Sequence, residues 1–475
     1  MSKPNKKELR QQIVCEWLSE NYLDYNRLRH DVVTDRLQIR TADLDSLELG
    51  RMVQYGVKWS SSEKTTLSHP EQPRHNTTQF LWRNLTDKDI NTMVCQCVSD
   101  VDANITVTEM WTALKSDMVP AVHPIRAWLD ELPPWTSEEP DWIDTIAQQV
   151  HVKENNINNL RGNQHPAALE ENNTTPSADA LWRACFKKWF VAMVASWMKD
   201  EVVNHTVLVL VGRQGIFKTT WLDHLIPPEL RNYSSKLPLS GQITKDDRLR
   251  LCENGMLNID EMDAICGREM NIVKSLLTCT DVNERAAYGR LKERRVRLAS
   301  FCASTNNREF LTDITGNRRW LPFEVESIQD PFYTLLPYER MYAQAKALVE
   351  CGYYSYWFDM EEIEVLEKHN EEFRAQDNEE QLLPILFDVP AEGKGEFMTT
   401  AEISDKLVSH GGIKKPMSTR RLGVIMSKMG FQKAQVYMSG CYVRGWLVYK
   451  REQDEITIAK RIDKDNASMQ QCDIY

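Results

Sequence analysis

The chain has 475 residues and a net charge of −11, with 42% hydrophobic and 27% charged residues. At roughly 100–200 residues per domain, this length predicts two to four domains, each able to bury a core without disulfides. The composition is that of an ordinary globular protein, which excludes wholesale disorder and a fibrous repeat. The acidic total also excludes a uniformly basic coat for nucleic acid, although a local basic patch remains compatible with it.

Neither a membrane span nor a secretory signal is indicated by the sequence. No run of about 18 apolar residues occurs, and the polar start MSKPNKKELRQQ lacks the apolar segment of a signal peptide. The eleven cysteines are scattered singly and form no zinc-binding pattern with the histidines. We therefore expect a cytoplasmic protein with reduced thiols and no membrane partner.

Residues 1–135 predict a mixed or helical N-terminal domain. Apolar residues at helical spacing indicate a first helix, and a turn at Thr34 and Asp35 separates two extended segments. Thr86 is the expected N-cap of a further helix, because acidic residues follow in its first turn. Residues 136–178 are polar and rich in asparagine and proline, which is typical of a linker, so we place a domain boundary there.

A helix and a buried strand open the next domain, which we expect to span residues 179–366. Ser177 or Asp179 caps the helix, whose aromatic and aliphatic residues follow helical spacing. The segment from Thr206 to Val211 reads TVLVLV. Such a continuous β-branched run is typical of a strand that is buried on both faces of a parallel sheet.

The sequence GRQGIFKTT follows this strand and predicts a phosphate-binding loop. In the order strand, glycine-containing turn, Lys-Thr and helix, backbone N–H groups and a helix N-terminus face the phosphate oxygens. Lys218 is expected to contact the β- and γ-phosphates of ATP, and Thr219 is expected to hold Mg²⁺. The predicted nucleotide-binding residues are Gly212, Arg213, Gln214, Gly215, Ile216, Phe217, Lys218, Thr219 and Thr220.

Phe217 departs from the usual pattern of such loops. The pattern GxxxxGK[ST] has a glycine immediately before the lysine, whereas this chain has phenylalanine there. Gly215 supplies flexibility two positions earlier, which is not the same position. Taken alone, the loop is compatible both with nucleotide binding and with an ordinary turn between a strand and a helix.

A carboxylate pair later in the chain favours the nucleotide site. Met256, Leu257 and Ile259 predict a short strand that ends in Asp260 and Glu261. Open α/β sheets carry their ligand chemistry at the carboxyl ends of the strands. Asp260 is therefore expected to hold Mg²⁺, and Glu261 to polarise the attacking water. The alternative is a strand that simply ends in an acidic turn.

Further polar residues complete the predicted catalytic set. A strand that starts near Arg295 ends at Asn306, whose amide is expected to orient the water or contact the γ-phosphate, the alternative being an asparagine turn. Arg318 and Arg319 follow in GNRRW. Adjacent arginines suit the stabilisation of charge in phosphoryl transfer, including from a neighbouring subunit as an arginine finger. Together with Glu261, these residues are the catalytic candidates.

The order of these motifs resembles the virulence-associated protein E family. The resemblance covers about residues 120–325 and rests on HPIRAWLDELPPW, GRQGIFKTT, DRLRLCENGMLNIDEMDAI, ERAAYGR, FCASTNNREFL and TGNRRWLPFEV. It implies an α/β fold whose core is a P-loop ATPase of the AAA+ class, similar to superfamily 3 helicases. Family members are associated with mobile elements and phage-like replication. The resemblance therefore implies a DNA helicase or replication initiator that works as a homo-oligomeric ring with ATP and Mg²⁺, with or without a separate primase.

Carried over by motif, the family's roles fall on the residues already singled out. Lys218 and Thr219 match the phosphate loop, and Asn306 matches the sensor. The metal and water carboxylates match Asp260 and Glu261, and the finger matches Arg318 or Arg319. Phe217 is the principal departure from the family's pattern, and it bears on the rate of ATP turnover rather than on the fold.

A basic segment between the acidic strand and the asparagine strand is a candidate for DNA contact. Glu284 to Arg297 contains six basic and two acidic residues. In superfamily 3 helicases a hairpin at the corresponding place grips single-stranded DNA, so stacking and phosphate contacts are expected here. The alternatives are a solvated charged hairpin and contact with the ATP of a neighbouring subunit. The residues predicted to contact DNA are Tyr288, Arg290, Lys292, Arg294 and Arg295.

An acidic run at 367–381 precedes the C-terminal part of the chain. Residues 382–455 predict a winged-helix-like domain, with a tail at 456–475. Thr399 or Thr400 caps one helix, a second capped helix ends at Gly430, and a β-hairpin turns at Ser439 and Gly440.

This C-terminal module is basic. Residues 394–450 carry ten Lys and Arg against three Asp and Glu, a local charge of +7 within an acidic chain. Arg420 and Arg421 lie near the start of its second helix, the candidate recognition helix for DNA. The alternative is a protein-interaction module, because winged helices serve that purpose too.

Three functions are compatible with the sequence. The first is an ATP-dependent DNA helicase or replication initiator of a mobile element or phage, acting as an oligomeric ring on single-stranded DNA. The second is a non-motor nucleotide-binding switch that binds DNA, in which Phe217 makes turnover negligible. The third is a defence or regulatory AAA+ ATPase that uses the ring to sense a partner protein.

Overall fold

The computed structural model describes most of the chain and shows a mixed α/β fold. Helices surround a mainly parallel central sheet, and smaller sheets lie in the N-terminal and C-terminal parts. Among the described residues, no helix combines the length and the apolar character needed to cross a membrane. The described residues are 6–41, 81–154, 177–238, 243–259, 262, 267–285, 292–312, 317–334, 336–391, 394–414, 416–438 and 440–451.

The N-terminal module, where the sequence predicts a mixed or helical domain, is a small sheet packed on helices. Its first helix buries Val14, Trp17 and Leu18. Thr86 caps a later helix as predicted, because its hydroxyl accepts from the Asp89 N–H while the Asp89 carboxylate accepts from the Thr86 N–H. The elements are α1 (Lys6–Leu18), β1 (Leu28–Asp31), β2 (Arg36–Thr41), β3 (Leu81–Asn84), α2 (Asp87–Val101), α3 (Val107–Leu114) and β4 (Ala121–Val122).

The central module follows, and its strands alternate with helices. Its first elements are α4 (Pro124–Asp130), α5 (Trp142–Ala147), β5 (Val150–Val152), α6 (Ala178–Met198), β6 (Val207–Val211), α7 (Lys218–His224), β7 (Ser234–Lys236), α8 (Lys245–Glu253) and β8 (Met256–Ile259). Its later elements are α9 (Gly267–Thr278), β9 (Asp281–Glu284), β10 (Glu293–Val296), β11 (Ser300–Thr305), β12 (Trp320–Ile328), α10 (Tyr338–Glu350) and α11 (Met360–Asn370).

The six described strands of the central sheet lie in the order β5-β12-β6-β11-β8-β7. Strands β12, β6, β11, β8 and β7 run parallel, and β5 is antiparallel to β12. Because β11 lies between β6 and β8, the carboxyl ends of three strands predicted to carry site residues meet at one edge. Every residue of β6, β8 and β11 is buried, as expected for a parallel sheet covered on both faces.

The predicted linker at 136–178 needs correction at its start. Asp141 caps α5, and β5 joins the central sheet through β12. The reason is apolar spacing, since Ile143, Ile146 and Val150 are fully buried within an otherwise polar segment. The central module therefore begins before the predicted boundary, while residues 155–176 lie outside the described part of the chain.

Helix α6 is the largest single contribution to the core beside the sheet. Ser177 caps it as predicted, by accepting from the Ala180 N–H. Its tryptophans are buried and hydrogen-bonded: the Trp189 indole donates to the Phe301 carbonyl at 3.0 Å, and the Trp197 indole donates to the Gly255 carbonyl at 3.0 Å. These bonds tie the helix to two strands that carry the candidate site.

A buried polar cluster joins the N-terminal module to the central module. The Asp31 carboxylate accepts from the Tyr233 hydroxyl at 2.9 Å and from the Thr34 hydroxyl at 2.6 Å. The Gln38 amide donates to both Asp31 and Tyr233 at 3.3 Å. Burial, followed by the neighbouring Asp31 charge, raises the pKa of Tyr233, so its hydroxyl stays protonated and remains a donor.

The C-terminal module contains the elements that the sequence predicts after the acidic run. Thr399 and Ser418 are the N-caps of its second and third helices, and a long β-hairpin follows. The first helix begins at Asn378, earlier than the predicted domain start at 382. The elements are α12 (Asn378–Leu386), β13 (Phe387–Asp388), β14 (Glu396–Met398), α13 (Thr400–Gly411), α14 (Thr419–Lys428), β15 (Gln432–Met438) and β16 (Cys441–Lys450).

Candidate nucleotide-binding site

The loop between β6 and α7 is held against two neighbouring strands by its first residue. The Gly212 N–H donates to the carbonyl of Thr305, the last residue of β11, at 3.1 Å. A side chain at Gly212 would begin 2.8 Å from the carbonyl oxygen of Val325 in β12, so only glycine fits there without a shift. Arg213, Gln214 and Gly215 then form an exposed stretch, and Ile216 turns back toward the core.

Phe217 has the backbone conformation that glycine usually provides. Its φ and ψ are 65° and 16°, in the left-handed region, immediately before the first residue of α7. Its ring lies edge-on to Phe332, with the centroids 6.3 Å apart. The loop thus has a positive φ at the position where the common motif has glycine, although the residue is different.

The Lys218 side chain folds back against the loop, and the residue is 7% exposed. Its Nζ donates to the carbonyl oxygens of Gly212 and Arg213 at 2.6 and 2.7 Å. It also donates to the Asn306 amide oxygen at 3.0 Å, across 88 positions of sequence. The structure therefore brings together two residues that the sequence assigned to one site.

Thr219 makes a second contact between the helix and the neighbouring strand. Its hydroxyl lies 2.8 Å from the Ser304 hydroxyl near the end of β11. Ser304 was not among the predicted site residues. Serine at the end of a strand follows no motif, so its role is visible only once β11 lies beside β6. The two hydroxyls and the Asn306 amide make one polar corner at the carboxyl edge of the sheet.

The predicted carboxylate pair, Asp260 and Glu261, lies outside the described residues, and β8 is described as far as Ile259. Beside the end of this strand, the Asn258 amide donates to the Asp223 carboxylate of α7 at 2.7 Å. This bond fixes α7 to β8 across the face of the sheet. Neither residue was predicted from the sequence, because neither belongs to a recognised pattern.

Arg318 and Arg319 lie at the other edge of the sheet. They form a short 3₁₀ turn that leads into β12, whose first residue, Trp320, pairs with Val207 at the start of β6. Since β6 and β12 are parallel, about 13 Å of strand separates this turn from the loop on the same chain. Arg318 is exposed.

Lys274 of α9 adds positive charge beside this turn. Its pKa is lowered by burial and then by the charge of Arg319. Two positively charged side chains, of Lys274 and Arg319, therefore lie near each other at this edge of the sheet.

The predicted DNA hairpin exists as the antiparallel pair β9–β10. Its basic residues differ in their surroundings. Arg294 is exposed and pairs with Asp281 at 2.7 Å, and Lys292 is exposed. Arg295 is largely buried and faces three carboxylates at 3.4–3.7 Å, those of Asp35, Glu253 and Glu293. The predicted residues Tyr288 and Arg290 lie outside the described part of the hairpin.

The two arginines predicted to contact DNA in α14 also differ. Arg420 is exposed. Arg421 donates to the Thr312 carbonyl at 2.9 Å and forms an ion pair with Asp377 at 2.7 Å. The guanidinium of Arg421 therefore faces the protein itself.

The donor set at the carboxyl edge of the sheet fits a nucleotide phosphate and Mg²⁺. A lysine ammonium, two hydroxyls and an amide converge there from the start of α7 and the end of β11. Ammonium groups complement phosphate, and hydroxyl and carboxylate oxygens are ligands that Mg²⁺ prefers. Among the described residues no group of three acidic, histidine or cysteine side chains forms a metal cluster, and Asp260 is not one of those residues.

Comparison with known proteins gives one family match. Residues 162–375 match the model of the virulence-associated protein E-like domain, in agreement with the resemblance seen in the sequence. No curated protein matches the chain. The apo structure of the NrS-1 C-terminal region (305–718) aligns with a TM-score of 0.44 and 10% identity, covering 94% of this chain and 100% of that one. The A form apo structure of that region aligns with a TM-score of 0.40 and 11% identity, covering 91% and 99%.

Proposed function

We propose, from the match of residues 162–375 to the virulence-associated protein E-like domain, that the chain is an ATP-hydrolysing replication protein of a mobile element or phage. In this proposal it acts as a helicase or initiator, as a ring of identical subunits on single-stranded DNA. The observation that carries the proposal is the contact between Lys218 and Asn306, since it unites a phosphate-loop lysine with a polar strand end.

Each site residue has a separate role in binding or hydrolysing ATP. Lys218 binds the phosphates by exchanging its bonds to the loop carbonyls and Asn306 for bonds to phosphate oxygens. Thr219 and Asp260 would hold Mg²⁺, which when bound neutralises phosphate charge. Glu261 polarises the attacking water, and Asn306 orients it beside the phosphate.

The position of Arg318 and Arg319 supports action across a subunit boundary. Both lie at the edge of the sheet opposite to the loop, and the intervening strand length exceeds the reach of an arginine side chain. A guanidinium at that edge can contact a phosphate that is bound to another copy of the chain. A head-to-tail arrangement that closes into a ring supplies such a copy to every subunit.

The test of this function is ATP hydrolysis with and without single-stranded DNA. We expect single-stranded DNA to stimulate hydrolysis by the wild-type protein, and Lys218→Ala or Glu261→Gln to abolish it. The exposed Lys115→Ala is the matched control, because it removes an ammonium far from the site and leaves hydrolysis as in the wild type. Unchanged hydrolysis in both site variants would remove the proposed site.

One observation favours a second candidate, a non-motor switch that binds nucleotide and DNA. Phe217 has a strained backbone conformation in the loop that we propose binds phosphate. This strain can slow ATP hydrolysis while the loop still binds ATP. The two functions differ in one outcome: displacement of a strand from a forked duplex by the wild-type protein with ATP excludes the switch.

A further inference from the structure

In the C-terminal module, basic residues of the candidate recognition helix are turned toward the protein. Arg421 and Lys428 lie two turns apart on α14, so they share a face. Arg421 pairs with Asp377, and Lys428 pairs with Glu371. Both partners belong to the acidic stretch before α12. This face of α14 is therefore neutralised within the chain.

The β15–β16 hairpin carries a different surface toward its free end. The cross-strand pairs Gln435–Arg444 and Tyr437–Tyr442 alternate along the hairpin and so lie on the same face. Tyr437 is 63% exposed and Tyr442 is 70% exposed. Their rings meet at 65° with centroids 5.1 Å apart. Two large aromatic rings thus stand together in solvent.

The same face continues toward the base of the hairpin with another basic residue. Lys433 pairs with Trp446 across the strands, and its ammonium lies 5.7 Å from the centroid of that ring. Trp446 itself is buried, which fixes the base of the hairpin to the module's core. Lys433 is exposed and lies on the same face as the two tyrosines, with the Gln435–Arg444 pair between them.

All charged residues of the β15–β16 hairpin are basic. Residues 432–450 contain three basic residues and no acidic residue. Lys450 pairs with Glu396 at the base of the hairpin, whereas Lys433 and Arg444 form no ion pair with any described residue. An aromatic pair with two such cations on the same face, toward the base of the hairpin, complements a chain that offers both flat bases and phosphates.

We propose that this face, formed by Lys433, Gln435, Tyr437, Tyr442 and Arg444, binds single-stranded DNA. The tyrosine rings stack on unpaired bases, and the two cations contact the backbone. Single strands fit better than duplex because stacking requires bases that are not covered by neighbours. The inference deepens the proposed function, since it names the surface through which the replication protein holds its DNA.

The experiment is fluorescence anisotropy of a labelled 20-nucleotide oligo(dT) with the full chain, without nucleotide. Each of Tyr437→Ala and Tyr442→Ala is expected to weaken binding about tenfold, because one stacked base is lost. Tyr437→Phe and Tyr442→Phe keep the rings and are expected to bind like the wild type. Tyr353→Ala, which removes a tyrosine that is 97% exposed outside the hairpin, is the matched control.

A charge variant keeps the test informative if a tyrosine variant unfolds. Arg444→Glu is expected to weaken binding and to lower the slope of log affinity against log salt by about 0.7 or more, since at least one phosphate contact is lost. Wild-type affinity in Arg444→Glu and in both folded alanine variants overturns the proposal. So does a loss that is seen only with a duplex of the same length.

The experiments distinguish an error in the proposed DNA contact of the hairpin from an error in the proposed function. The anisotropy is measured without nucleotide, so it does not depend on the ATP site. Hydrolysis lost in Lys218→Ala together with unaltered oligo(dT) binding in the tyrosine variants overturns only the proposed DNA contact of the β15–β16 hairpin. Oligo(dT) binding that depends on the tyrosines in a protein without ATPase activity overturns only the proposed function.

Discussion

At position 217, a bulky side chain occupies a left-handed backbone conformation that glycine adopts freely. An L-residue there costs about 1–2 kcal/mol relative to its ordinary conformation. The edge-on contact of Phe217 with Phe332 offsets part of this, since aromatic pairs contribute about 0.5–1.5 kcal/mol. The site thus retains a left-handed turn before Lys218 without the glycine of the motif.

This strain predicts an order of stability between two variants. Phe217→Gly and Phe217→Ala both lose the contact with Phe332, but only glycine relieves the positive φ. We expect Phe217→Gly to have a free energy of unfolding about 1 kcal/mol above that of Phe217→Ala, as measured by urea denaturation. An alanine variant as stable as the glycine variant would mean that the residue is not left-handed in solution.

At this scale the sequence predicted the residues that follow motifs and missed those that do not. Lys218 contacts Asn306 and Thr219 contacts Ser304, while the roles of these residues in ATP binding stay predictions. Ser304 joins them only because β11 lies beside β6, and strand order is a tertiary property that no local pattern encodes.

Among the elements, the junction between α9, β10 and β11 depends on one buried cation. The Arg297 guanidinium is fully buried and donates to backbone carbonyls only among its described partners. Two of these carbonyls belong to the last turn of α9, where the helix dipole favours a positive charge. Burial lowers the pKa of Arg297 to about 10, so it is still charged at neutral pH. The accepting residues are Asn204, Leu276, Leu277, Cys279 and Ala299.

Removal of this cation is therefore expected to be costly. Arg297→Ala leaves several buried carbonyls without a donor and should lower the free energy of unfolding by about 3–5 kcal/mol. Its neighbour Arg294 is an exposed arginine with a single surface ion pair, so Arg294→Ala should cost less than about 1 kcal/mol. Urea denaturation of the two variants measures both values, and equal losses would contradict the assigned role of Arg297.

The β9–β10 hairpin shows how much the density of charged residues in a sequence can predict. Six basic residues between Glu284 and Arg297 indicated an anion-binding segment, and the antiparallel hairpin is present. However, Arg295 faces the carboxylates of Asp35 in the N-terminal module and of Glu253 in the central module. Arg297 is buried and donates to backbone carbonyls such as that of Leu277. The partners of these arginines lie up to 260 positions away in sequence, which local composition does not reveal.

In the whole molecule, the loop that we propose binds phosphate and the paired arginines lie at opposite edges of one sheet. Such an arrangement predicts complementation between damaged subunits. Lys218→Ala and the double variant Arg318→Ala/Arg319→Ala should each lack ATP hydrolysis alone. When mixed, some boundaries join an intact loop to intact arginines, so hydrolysis should reappear. A mixture that stays inactive, although its subunits exchange, contradicts action across the boundary.

Charge is also distributed at the scale of the molecule. The chain carries −11 in total, yet residues 394–450 carry +7. The sequence located this basic module and its helices and hairpin. It did not reveal that Arg421 and Lys428 pair with the acidic stretch before α12, because that stretch reads as a domain boundary in the sequence. Arg420 and the hairpin residues Lys433 and Arg444 are among the basic residues of this module that remain exposed.

Calorimetric titration of the full chain with Mg·ATP tests most directly whether the loop at 212–219 is the ATP site. We expect saturable binding by the wild-type protein and by Lys115→Ala. Lys218→Ala should bind at least about tenfold more weakly, since a charge-assisted hydrogen bond to phosphate is lost. Binding of equal affinity in Lys218→Ala and the wild type would contradict the account.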